Sequence, residues 1–106
     1  MPEDYINLIN LDEIPEKGNI AVPFNDLSIL LCRVGDEVYA VQNKCTHAFA
    51  KLEGGRQKGH YLFCPLHGVR FNLKNGCPQG NLTKKPLNTY PVKIKDGKVG
   101  IRIEKS

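Results

Sequence analysis

The sequence predicts an all-β fold built from small antiparallel sheets. Short apolar stretches recur between Gly, Pro, Asn and Asp, and no segment keeps a helical period beyond a turn or two. Near the C-terminus, Val99, Ile101 and Ile103 alternate with Gly100 and Arg102. That is the period of a strand with one buried and one wet face.

In chain order, residues 5–9 open as a strand. Residues 12–15 allow at most one helical turn, which Pro15 and Gly18 end, and residues 20–22 form a short strand closed by Pro23. Residues 28–33 and 38–42 bracket Gly35, Asp36 and Glu37, a hairpin signal. Cys32 closes the apolar run 29–32 and is expected to be a buried small hydrophobe. Residues 61–63 run as a strand into Cys64, residues 69–73 alternate, and Asn75-Gly76 marks a tight turn. Residues 90–95 and 98–103 form the last pair, joined at Asp96-Gly97.

A chain of 106 residues makes a single domain, 1–106, with a modest core that a metal staple would help. A charged fraction of 25% beside 41% hydrophobic residues is ordinary for a globular protein and argues against disorder. Early acids without an apolar leader argue against secretion, and the run 29–32 is too short to cross a bilayer. A cytoplasmic monomer with reduced thiols and no membrane contact is expected.

Charge is divided unevenly. Residues 1–43 carry eight acids against Lys17 and Arg33, a net of −6, while residues 44–106 carry thirteen bases against three acids, a net of +10. The basic half suits either a solvated surface or an acidic docking partner. Its bases are scattered and accompany no recognised RNA or DNA motif, so nucleic acid is not an expected partner.

The chemistry lies between Cys45 and His67. Cys45-Thr46-His47 is followed, sixteen residues later, by Cys64-Pro65-Leu66-His67. Each cluster offers one thiolate and one neutral imidazole. Zinc fingers usually present a cysteine pair and then a histidine pair, so each loop is chemically uniform. Mixed loops suit two irons, with both cysteines on one and both histidines on the other, the Rieske [2Fe–2S] arrangement. A zinc-stapled binding domain is the rival metal reading, and a Cys32–Cys77 disulfide the rival use of the other two thiols.

Along nearly its whole length the chain resembles the Rieske-type ferredoxins of bacterial aromatic-ring dioxygenase systems. The resemblance rests on residues 38–41, the two Cys/His clusters with Gly68, Phe71-Asn72-Leu73 and Tyr90-Pro91-Val92. It implies a Rieske fold with a two-loop cluster-binding subdomain at about residues 44–73. It also implies one [2Fe-2S] cluster per chain. Cys45 and Cys64 would hold the inner iron; His47 and His67 would hold the outer iron through Nδ1, with their Nε2 edges near the surface. The implied donor is an NAD(P)H-dependent flavoprotein ferredoxin reductase, and the implied acceptor is the terminal Rieske oxygenase. A Rieske subunit of another complex, of the nitrite-reductase type, is the alternative.

Departures from related patterns sharpen that expectation. High-potential Rieske proteins carry an extra loop disulfide where this chain has Ala50 and Leu66. They also place hydroxyl donors where it has Val69 and Phe71. Fewer donors to the cluster sulfurs stabilise an added electron less, so a potential of roughly −150 mV is implied. The family's third loop commonly brings adjacent prolines over the cluster. Residues 80–83 replace them here, leaving Leu82 as an apolar lid.

Terminal oxygenases need a further iron held by two histidines and a carboxylate. With His47 and His67 committed, only His60 remains, and it reads as a turn or surface residue. The chain is therefore expected to carry electrons, with no catalytic residue. Lys44, Lys51, Arg56 and Lys58 are candidate docking residues near the first cluster.

Overall fold

The computed structural model describes residues 5–24, 26–44, 51–65, 69–79 and 85–102. Eleven strands are described: β1 (Ile6–Asn10), β2 (Asn19–Phe24), β3 (Leu27–Val34), β4 (Glu37–Gln42), β5 (Gln57–Lys58), β6 (Tyr61–Phe63), β7 (Arg70–Asn72), β8 (Pro78–Gln79), β9 (Thr89–Tyr90), β10 (Val92–Lys95) and β11 (Lys98–Ile101). A single 3₁₀ turn at Leu11–Glu13 is the helical content of the described residues. The strands form three antiparallel sheets, β1-β11-β10, β2-β3-β4-β9 and β5-β6-β7-β8. The all-β expectation holds.

The β2-β3-β4-β9 sheet is the middle layer. Strand alternation sends Ile29 and Leu31 of β3 to one side, where they pack with Val38, Ala40, Val99, Ile101 and Ile14. Leu30 and Cys32 face the other way and pack with Val41, Leu52, Leu62, Phe71, Leu73 and Leu87. A strand covered on both faces has no wet positions, which explains the unbroken apolar run 29–32. Cys32 is fully buried as expected, and burial pushes its thiol up to about 12.

Turns follow their residues. Val34 pairs with Glu37 across Gly35 and Asp36, and Gly35 has φ 63°. Lys95 pairs with Lys98 across Asp96 (φ 54°) and Gly97 (φ 74°). Two successive positive φ values make a type I′ turn, whose twist matches the flanking strands.

Three expectations need correction. Strand β2 continues through Pro23 to Phe24. It lies at the edge of its sheet, where a missing N–H costs no ladder bond. Residues 90–95 are not one strand: β9 pairs with β4 in the middle sheet, and β10 pairs with β11 in an outer sheet. Pro91 stands between them, lacking the N–H that would continue a ladder, while its carbonyl accepts from the Arg102 N–H at 3.0 Å. Ile94 is 36% exposed, so the alternation in β10 buries less than its pattern suggests.

The two-residue strands β5 and β8 carry no period of their own; they form because β6 and β7 offer them edges. Together these four strands make the sheet on which the second Cys/His cluster is mounted. Phe71, fully buried at its centre, is the largest side chain of that core. Phe71→Ala should cost about 3–5 kcal/mol in urea unfolding, a loss set by transfer and cavity together.

Candidate metal centre

The chain leaves the middle sheet at the end of β4 on its way to Cys45 and His47. Asn43, 6% exposed, stands at that exit. Its Oδ1 accepts from the N–H of Leu52 (3.0 Å) and of Glu53 (2.9 Å), and its Nδ2 donates to Ser28 Oγ (3.1 Å). Its backbone N–H donates to the Ser28 carbonyl at 3.1 Å. One buried amide thus joins both ends of the loop and ties them to β3. A buried polar group keeps its place only when its bonds are filled, and here they are.

Asn19 on β2 braces the next turn. Its Oδ1 accepts from the Gly54 N–H (2.8 Å), while Nδ2 donates to the Gly55 carbonyl (3.0 Å) and Gln57 Oε1 (2.8 Å). Gln57 in turn donates from Nε2 to the Arg33 carbonyl at 3.0 Å. Gly55 runs against the end of β6: a Cβ there would lie 2.4 Å from the Phe63 carbonyl oxygen. No side chain fits in that space, so glycine is required for the two segments to touch.

Cys64 follows Phe63 and is 2% exposed, packed in the same core as Leu62 and Phe71. Its N–H donates to the Val69 carbonyl at 2.7 Å, closing the second loop at its base. Gly54, Gly55, Arg56, Phe63, Cys64 and Pro65 line one hollow of about 390 Å³. Cys64 thus stands in the wall of a hollow shared by the Gly54–Arg56 turn and the end of β6.

Of the four expected ligands, Cys64 is placed in that wall. Cys45, His47 and His67 lie outside the described residues, as do Ala50, Leu66 and Leu82. Val69 (3% exposed) and Phe71 are buried and apolar, so neither brings a hydroxyl donor to the sulfur's side of the core. Cys32 and Cys77 are both free thiols, one buried and one exposed, which rules out a disulfide between them. The surroundings of Cys64, the one described donor, suit an iron–sulfur group: a metal stabilises a thiolate in an apolar site, and apolar walls limit water.

A family model described as the Rieske [2Fe-2S] domain matches residues 4–91. The chain belongs to this Rieske family. The ferredoxin component of the naphthalene 1,2-dioxygenase/salicylate 5-hydroxylase systems of Ralstonia sp. is 36% identical over 98% of this chain and 100% of that protein. A Sphingomonas yanoikuyae B1 ferredoxin superposes with a TM-score of 0.87 at 30% identity, covering 95% of this Rieske chain and 100% of its own. A chain from a complex of reduced oxygenase and oxidized ferredoxin in carbazole 1,9a-dioxygenase also gives 0.87, at 28% identity, covering 99% and 98%.

His60 sits in the turn between β5 and β6, as expected of a surface residue, but it is not idle. Its ring lies edge-on to Tyr39 at 5.7 Å, and Nε2 is 3.3 Å from Glu37 Oε1. Tyr39 donates its hydroxyl to the same carboxylate oxygen at 2.8 Å. These bonds, Tyr39 first, hold the Glu37 carboxyl below its ordinary range. Their stabilising effect is present above that range and is lost as pH falls through the lowered value.

Asn43 and Asn19 escaped the sequence reading because an isolated Asn before a loop resembles any turn former. Replacing Asn43 with Ala removes one acceptor from two loop N–H groups, so the purified variant should lose its visible iron–sulfur absorbance to a chelator several-fold faster. Cys32 gives an independent check on the core. Iodoacetamide at about pH 8 should modify Cys77 and leave Cys32 untouched until the fold is lost. Because the folded thiol is raised from 9.0 to about 12, stability should be whole below 9.0 and decline as pH climbs toward 12.

Proposed function

We propose that this protein is a soluble one-electron carrier whose Rieske [2Fe-2S] cluster is held by Cys45, His47, Cys64 and His67. Support comes chiefly from two loops, each closed at its base and each carrying one mixed Cys/His cluster in sequence, the second beginning at buried Cys64. The domain spans residues 1–106, with the cluster-binding part at about residues 44–73. Its place is the cytoplasm, as a monomer; no helix among the described residues is long and apolar enough to cross a membrane.

The bound cluster supplies a reversible one-electron couple. The chain's residues set the conditions under which that couple works. Asn43 and the Cys64–Val69 bond fix the loop bases, so little protein rearrangement accompanies a change of charge. Leu62, Val69 and Phe71 surround Cys64 with apolar side chains, and their lack of donors leaves added negative charge poorly compensated. His47 and His67 would hold the outer iron, opposite the two cysteines on the inner one. An NAD(P)H-dependent flavoprotein reductase delivers the electron, and a terminal aromatic-ring oxygenase receives it. Relatives named as ferredoxin components of dioxygenase systems support a carrier with no catalytic residue of its own.

Pure protein should be reddish-brown and show a Rieske-type electron paramagnetic resonance signal on reduction. His67→Cys should change or abolish that signal, and an unchanged spectrum would exclude His67 as a ligand. A redox titration should give a midpoint of roughly −150 mV, at the low end for Rieske centres, and a positive value would refute the donor-poor reading. Colourless protein with stoichiometric zinc would overturn the assignment altogether.

A further inference from the structure

One face of the β5-β6-β7-β8 sheet forms a surface distinct from the loop mouths. Register pairs Lys58 with Tyr61 and Tyr61 with Asn72, while Phe63 pairs with Arg70. Alternation turns these side chains away from Leu62 and Phe71, which are fully buried on the opposite face. With Gly59, His60 and Lys74 they line an open groove of about 690 Å³.

The groove has a distinct chemistry. Lys58, Arg70 and Lys74 are exposed, and no carboxylate is among its described lining residues. Tyr61 and Phe63 are half-buried and provide an aromatic floor. The Arg70 guanidinium carbon stands 5.4 Å from the Tyr61 ring centroid, a cation–π contact that orients its donor fork. Glu37, next to His60, is engaged by Tyr39 and His60 and is also attracted by the charge of Lys74, so a carboxylate borders the groove at that end.

We propose that this groove docks an acidic surface segment of the protein's electron-transfer partner. Carboxylates of that segment meet Lys58, Arg70 and Lys74, and an apolar side chain lies on Tyr61 and Phe63. Open shape and spread-out cations suit a protein segment better than a small anion, which needs a closed site with converging donors. Phe63 also walls the hollow that holds Arg56, Cys64 and Pro65, so a docked segment ends beside a cluster ligand. That last link rests on the carrier reading above.

The test uses ¹⁵N-labelled, cluster-loaded protein at low ionic strength and a capped peptide of glutamates flanking a central phenylalanine. Amide shifts should concentrate at Lys58, Tyr61, Arg70 and Lys74, with affinity falling as salt is added. The double variant R70E/K74E should weaken binding about tenfold or more, and R70Q/K74Q less. K98E, on the far outer sheet, should bind like the parent. Shifts spread evenly over all lysines, or equal affinities for R70E/K74E and K98E, would overturn the proposal. So would concentration-dependent shifts at the same amides without peptide, which would assign the face to a second copy. Colour and paramagnetic resonance of the parent report the cluster separately, so failure of the carrier reading is visible whatever the groove binds.

Discussion

Burial of β3 on both faces is the constraint from which the rest of the architecture follows. Ile29 and Leu31 commit one face to the β1-β11-β10 sheet, and Leu30 and Cys32 commit the other to the sheet that carries Cys64. Slipping β3 by one residue would exchange the two sets and leave neither core filled. Arg33 secures the strand's end, donating from Nη1 to the carbonyls of Leu11 (3.3 Å) and Ile14 (3.0 Å) and from Nε to Gly35 (2.8 Å). The middle layer thereby becomes a fixed reference: the loop toward Cys45 leaves it at the end of β4, and the sheet that carries Cys64 packs on its other face.

Electron carriers face a conflict between exposure and rigidity. The accepting group must lie near the surface for a partner to reach it, yet surface loops are the softest parts of a fold. This chain resolves the conflict at the loop bases. Asn43 joins the ends of the first loop to β3, Asn19 pins the Gly54–Gly55 turn to β2, and the Cys64–Val69 bond shuts the second loop. The neighbouring face of the same sheet carries cations over aromatic rings, so recognition and electron transfer are mounted on one small platform.

Much of this was legible in the residues. The Cys/His spacing pointed to a Rieske domain, which the family match over residues 4–91 bears out, and of its four residues the structure describes Cys64. The apolar run 29–32 announced a buried Cys32, its burial on both faces emerging only with the two cores, and Asp96-Gly97 announced its turn. Pro91 was harder: its flanks alternate as one strand, and only sheet pairing shows that the chain changes layers there. The groove was partly visible in Lys58, but Arg70 and Lys74 join it through register, which needs the partners of β6 to be known. Asn43 left no signal at all, since its importance lies in what it touches nine and ten residues away.

A third closure has a wider meaning. The Leu87 N–H donates to the Gly76 carbonyl at 2.8 Å, and Gly76 (φ 78°) approaches so closely that a Cβ would sit 2.3 Å from the Leu87 oxygen. The segment between them, like the two ligand loops, therefore begins and ends on a sealed joint. Apart from β8 (Pro78–Gln79), which pairs with β7, variation inside that segment has little path into the sheets. A lineage of these proteins can rewrite its loops for a new partner or a new potential while inheriting the scaffold unchanged. On β6 and β7, by contrast, recognition and folding share one stretch on alternate residues, with Tyr61, Phe63 and Arg70 facing out and Leu62 and Phe71 facing in.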